Sequence, residues 1–198
     1  MEPGKLIGIM DTAERLKNNT RHSWTSAGRH ESVAEHSWRL VLLAYFVRDE
    51  FPGDDMDKVL KMCLVHDLGE AFTGDIPSFH KTAADEEKES RLLNEWVRAL
   101  PPPYAAELTA LYAEMDALET REAKIYKALD NLEAVIQHNE APLSSWLPLE
   151  YELQLSYGGD KAAFSPYLTA LKAQLNADTR RKIAAGDPEH EKTADAEK

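Results

Sequence analysis

The chain has 198 residues, enough for one domain with a sizeable core and too few for two comfortable ones. Apolar residues make up 43% and charged residues 29%, the balance of a soluble globular protein, and no stretch approaches the 18 apolar residues of a membrane span. A net charge of −12 argues against a nucleic-acid polymer or an acidic membrane as partner, because a polyanion is repelled at long range.

Helical periodicity dominates, and no stretch alternates as a strand would. Residues 5–17 place Leu6, Ile9, Met10, Ala13 and Leu16 at three- and four-residue intervals. Residues 18–31 are polar and irregular. Ser32 with Glu35 three positions on is a capping-box signature, and the helix it opens carries Val33, Leu40, Leu43, Ala44 and Val47 on one face before "FPGDD" stops it. A third helix is expected from Met56 to Leu68, ended by Gly69, then a loop over 70–81. Further helices are expected at 83–99, 104–117, 121–139, 146–157 and 166–184, the last with Ser165-Pro166 as N-cap and first helical residue. The expectation is an all-α bundle of about eight helices, one domain over 1–185, with a polar disordered tail at 186–198. Cys63, the single cysteine, excludes an internal disulfide and fits a reducing cytoplasm.

The stretch "MCLVHDLGEAFTGDIPS" (62–78) turns abruptly from apolar to polar. His66 and Asp67 end an apolar helix, His36 lies in the first turns of a capped helix, and Asp130 sits inside "KIYKALDNLEAVIQH" between Leu129 and Leu132. Burying such groups unpaired is costly, and a divalent cation satisfies them together. Two imidazoles and two carboxylates without thiolate suit Mn, Co, Fe, Ni or Zn. Taken singly, His22, His30, His80 and His138 read as surface or packing residues. The four tryptophans read as core or interface anchors, with Trp24 placed to border a pocket near Arg21.

"RHESVAEHS" (29–37), "HDLGEAFTGDIP" (66–77) and "ALDNLE" (128–133) resemble the H…HD…D pattern of the HD-domain metal-dependent phosphohydrolases, most closely the 5′-deoxynucleotidase branch. The resemblance implies His36, His66, Asp67 and Asp130 as ligands of one divalent transition metal. It implies Glu70 as the residue that orients or deprotonates the attacking water, and Asp75 as a group near the leaving oxygen or the sugar. Arg21 matches a family arginine that grips the substrate phosphate, with Arg29 as a second candidate. The implied activity is release of the 5′-phosphate from a (deoxy)nucleoside monophosphate. Two other readings are a dinuclear-iron HD oxygenase, which needs further histidines between His66 and Asp130 where only His80 is present, and a non-catalytic nucleotide-binding scaffold. The resemblance, together with Trp146, Leu147 and Leu149, also favours a homodimer.

Overall fold

The computed structural model describes residues 1–77 and 79–186. Its helices are α1 (Pro3–Asn18), α2 (Val33–Phe46), α3 (Met56–Val65), α4 (Glu70–Thr73), α5 (Ala83–Ala99), α6 (Pro102–Ala117), α7 (Arg121–Glu140), α8 (Glu150–Ser156), α9 (Gly159–Ala162) and α10 (Pro166–Ala185). Eight of these have seven residues or more; α4 and α9 are single turns of four. The architecture is all-α, as expected. Residues 187–198, most of the expected tail, lie outside the described residues, and Gly186 closes α10 as its C-cap.

One expectation fails. The polar stretch before α2 contains an antiparallel hairpin, β1 (Thr20–Trp24) with β2 (His30–Ser32). Thr20 pairs with Ser32 and Trp24 with His30, with an irregularity between the two pairs. This strand shows no alternation because four successive residues, Arg21 to Trp24, are all half-buried. The expected loop over 70–81 also opens with a helical turn, α4, and several bounds shift. α3 stops at Val65, so His66 and Asp67 lie just past the helix, and α8 starts at Glu150, four residues later than expected, after a separate 3-10 turn at Leu143–Ser145.

The core forms around α7. Ile125, Leu129, Leu132 and Val135 are fully buried there against Leu40 and Ala44 of α2, Val59, Met62 and Cys63 of α3, and Leu168 of α10. Burying one such side chain contributes about 1.5–3 kcal/mol. α7 is enclosed on nearly all sides, so its polar residues Glu133, Gln137 and His138 are buried too, and each needs a partner. A smaller cluster of Leu16, Val33 and Ala71 fixes α1 and α4 against the start of α2. The expected apolar stripe of α1 is only partly used: Leu16 is buried, whereas Leu6 and Met10 face solvent.

Candidate metal centre and its cavity

Local sequence places each ligand candidate. The capping box of α2 is present in full, Ser32 accepting from Glu35 N–H and Glu35 accepting from Ser32 N–H, so α2 starts at a fixed residue and His36 lies one turn in, completely buried. Tyr112 of α6 donates to the Val65 carbonyl at 2.7 Å, which also accepts the Leu68 N–H at 3.1 Å, and so ties α6 to the point where α3 ends and the HD pair begins. Asp130 projects from the middle of α7.

These groups converge. His36 Nε2 lies 3.2 Å from both His66 Nε2 and Asp130 Oδ1, and His66 Nε2 lies 3.0 Å from Asp67 Oδ2 and 3.6 Å from Asp130 Oδ1. The outer nitrogens are already taken. His66 Nδ1 faces the Cys63 carbonyl at 3.0 Å, and His36 Nδ1 makes a very short contact with Glu133 Oε2. Each ring therefore donates outward through Nδ1–H and turns its Nε2 lone pair inward. Two lone pairs facing each other among carboxylates, with Asp67 Oδ2 buried and without a hydrogen-bond partner, form a donor set that a divalent cation completes. His36, His66 and Asp67 form one group able to hold such an ion, and Asp130 stands beside them.

Charge around the centre is organised in layers. Lys127 pairs with Asp130 at 2.8 Å and Arg21 reaches Asp67 at 3.6 Å. Burial opposes the charge of Arg21, but Asp67, Asp75, Glu31 and Asp130 outweigh it and hold the guanidinium as a firm cation. Behind His36, Glu133 is braced by Arg39 at 3.5 Å, and Arg39 is itself gripped by Glu140 and Gln137. Glu31 lies 3.4 Å from Arg21 and is pushed up to about 7 by burial and the neighbouring Glu133. Glu70 is buried with Oε2 unpartnered, and burial, then Asp67 and Asp75, push its carboxyl up to about 9 in the metal-free protein.

A cavity of about 320 Å³ opens onto this centre. Arg21, Asp67, Glu70, Asp75, Lys127 and Asp130 are among the residues that line it, as are His22, Phe79, His138, Glu150 and Gln154.

A model of the HD domain matches residues 13–172. The chain belongs to the HD domain family. Among HD-domain relatives it is 28% identical over 192 residues to the human (Homo sapiens) "5′-deoxynucleotidase HDDC2", covering 93% of this chain and 91% of that protein. It is 31% identical to the "5′-deoxynucleotidase hdd1" of Schizosaccharomyces pombe, over 67% of this chain and 70% of that one. A crystal structure described as a predicted metal-dependent phosphohydrolase from Magnetospirillum magnetotacticum superposes with a TM-score of 0.72 at 27% identity, covering 89% and 93% of the two chains.

Within this HD domain, seven of the eight sequence candidates gather at the centre or on the adjoining cavity wall. Arg29 does not. It sits outside, forming a bidentate pair with Glu35 at 2.9 and 2.5 Å, and so braces the α2 cap instead of facing the cavity. Trp24 is also displaced from its expected place: it packs on His30 at 4.1 Å and is not part of the cavity wall. Gly69 keeps a backbone angle any residue can adopt. Its role is space, since a Cβ there would stand 2.9 Å from Glu89 of α5. Gly74 does use the left-handed region, at φ 77°, which turns the chain toward Asp75. Sequence reasoning passed over His22, His138 and Glu150 as cavity residues, and it missed Lys127, Glu31 and Glu133. Only Lys127 and Glu133 carried a signal, three residues either side of Asp130.

Proposed function

We propose that this HD-domain chain is a metal-dependent phosphomonoester hydrolase that removes the 5′-phosphate of (deoxy)nucleoside monophosphates. The observation that carries it is the inward convergence of two imidazole Nε2 atoms and two carboxylates beside a half-buried arginine, at one side of a nucleotide-sized cavity. The names of the human and fission-yeast relatives support the same substrate class.

His36, His66, Asp67 and Asp130 hold the ion, for which Mn, Co, Fe, Ni or Zn suit the N/O donors. When bound, the cation supplies Lewis acidity at the phosphoryl oxygen and acidifies a water. Glu70 orients that water and takes its proton; for this it must be ionised, and a cation held beside it would offset the push from Asp67 and Asp75 that raises its pKa. Arg21 clamps the phosphate with fixed positive charge, and Lys127 adds a second cation on the Asp130 side. As the water oxygen bonds to phosphorus the P–O5′ bond breaks; O5′ is protonated from solvent on the Asp75 side, and Glu70 returns the water's proton to solvent.

The dinuclear reading finds less support. The second group able to hold an ion, Glu31, His36 and Glu133, reuses His36, and His80 packs on Phe79 instead. We also propose a cytoplasmic homodimer: Cys63 is a buried free thiol, and Phe46, Trp38 and Ile7 leave apolar surface on α1 and α2. Trp146, expected to contribute to such a surface, is instead buried on His138, although Leu147 and Leu149 are exposed.

Phosphate release from a panel of nucleoside monophosphates, with Mn, Co, Mg and Zn supplied separately, tests the activity. Glu70→Gln is expected to keep its metal and lose about 10²–10⁴-fold in rate, and Asp130→Ala to lose the metal. No release with any metal would support the non-catalytic scaffold; full activity of Glu70→Gln would remove the assigned role of Glu70.

A further inference from the structure

The cavity extends well beyond the metal centre. Lys127, Asp130, Ala134 and His138 of α7 all line it, at spacings of three, four and four residues, and so form one stripe along the helix. At 1.5 Å per residue, His138 lies about 12 Å along α7 from Asp130. That matches the reach of a nucleoside monophosphate from phosphate to base, with the small Ala134 between them.

At the far end three side chains from three elements meet. Glu150, the first residue of α8, is buried; its Oε1 lies 3.0 Å from His22 Nε2 on β1, and its Oε2 lies 3.5 Å from His138 Nε2. Oε2 also accepts the Leu147 N–H at 2.6 Å, which fixes the carboxylate. His138 stacks on Trp146 at 4.4 Å, and His22 meets Phe79 edge-on at 5.6 Å. Burial holds the His138 pKa below its ordinary value, which keeps the ring neutral at pH 7. Both Nε2 atoms are buried without a hydrogen-bond partner, so the Glu150 carboxylate, held by the Leu147 N–H, is the acceptor this end of the cavity offers. Its buried negative charge attracts a donor and repels a carbonyl oxygen.

We propose that His22, Glu150 and His138 form the nucleobase end of the site and select bases with an exocyclic amino group, adenine or cytosine, over their keto counterparts, hypoxanthine or uracil. The proposal rests on the phosphohydrolase reading for the phosphate end, but not for its own test. A keto oxygen would face the Glu150 carboxylate where an amino group would donate to it, the kind of mismatch that a site built for hydrogen bonding rejects strongly.

Two measurements on the full chain loaded with metal decide it. The first is kcat/KM for deoxyadenosine against deoxyinosine 5′-monophosphate, and for the deoxycytidine against the deoxyuridine compound. The amino member of each pair is expected to lead by roughly tenfold or more, and Glu150→Gln to bring the ratio within about twofold, mainly through KM. His22→Asn is the second variant should Glu150→Gln fail to fold, with metal content and melting temperature as the check. The second measurement is binding of deoxyadenosine and deoxyinosine themselves by calorimetry. Tighter deoxyadenosine binding without any hydrolysis would sustain the base subsite and overturn the phosphohydrolase reading. Hydrolysis with equal rates within each pair, or a ratio that survives both variants, would overturn the subsite alone. Neither binding nor hydrolysis would overturn both.

Discussion

Arg21 and Arg29 show how little residue type says without its neighbours. Both precede His36 in a basic, polar stretch, and both pair with a glutamate. Arg21 lies on β1 with its guanidinium inside the cavity beside Asp67, whereas Arg29 lies past the hairpin turn and is 60% exposed on its side chain. The consequence is measurable. Arg21→Ala is expected to lower kcat/KM for phosphate release about 10²-fold or more, as loss of a charged transition-state contact does. Arg29→Ala is expected to stay within about twofold of wild type, because an exposed pair contributes less than about 1 kcal/mol. Steady-state kinetics of the two variants side by side checks this; an equal loss in both would return Arg29 to the phosphate site.

At the scale of elements, legibility tracked the distance over which each structure is decided. The α2 capping box is settled within four residues, so Ser32 and Glu35 declared it in advance, and with it the depth of His36. Ser165-Pro166 did the same for α10. The hairpin depends on pairing Thr20 with Ser32 across a turn, and nothing local announces it. Likewise His22, Glu150 and His138 read singly as ordinary surface or core residues, because β1, α7 and α8 bring them together only in three dimensions. α8, which carries Glu150, is itself held by α10. Lys172 is buried and donates from Nζ to the Gln154 carbonyl at 2.8 Å, in the last turn of α8 where carbonyls lack helical partners. Burial lowers its pKa from 10.5 to about 8. Between those values the unfolded chain holds a proton that the native state has lost, so this residue makes stability rise as pH rises from about 8 to 10.5. Urea denaturation across that range should show wild type gaining about 2 kcal/mol relative to Lys172→Met. Parallel curves for the two proteins would remove Lys172 as the source.

Over the whole molecule, charge and apolar surface pull in different directions. A chain of net charge −12 repels its own copies at long range, yet Phe46 is 76% exposed, Trp38 63% and Ile7 62% on the outer faces of α2 and α1. Covering that surface with a second copy is the arrangement proposed above. Light scattering at rising protein concentration is expected to give twice the monomer mass, and Phe46→Asp to shift it toward one. Added salt should tighten the dimer, since it screens the repulsion and leaves the apolar contact intact. A monomer at all concentrations would rule out the homodimer.

The four ligand candidates also set a clock on the molecule's birth. His36 and His66 stand 30 residues apart, but His36 and Asp130 stand 94 apart. A chain emerging from the ribosome presents the first imidazole early, and it has no complete set until α7 has been synthesised and has packed between α2 and α3. No shorter segment of the chain can therefore capture the ion with all four groups. In the proposed site, capture by all four groups requires α2, α3 and α7 to have packed together, whereas α10, which adds Leu168 to the core, carries none of them.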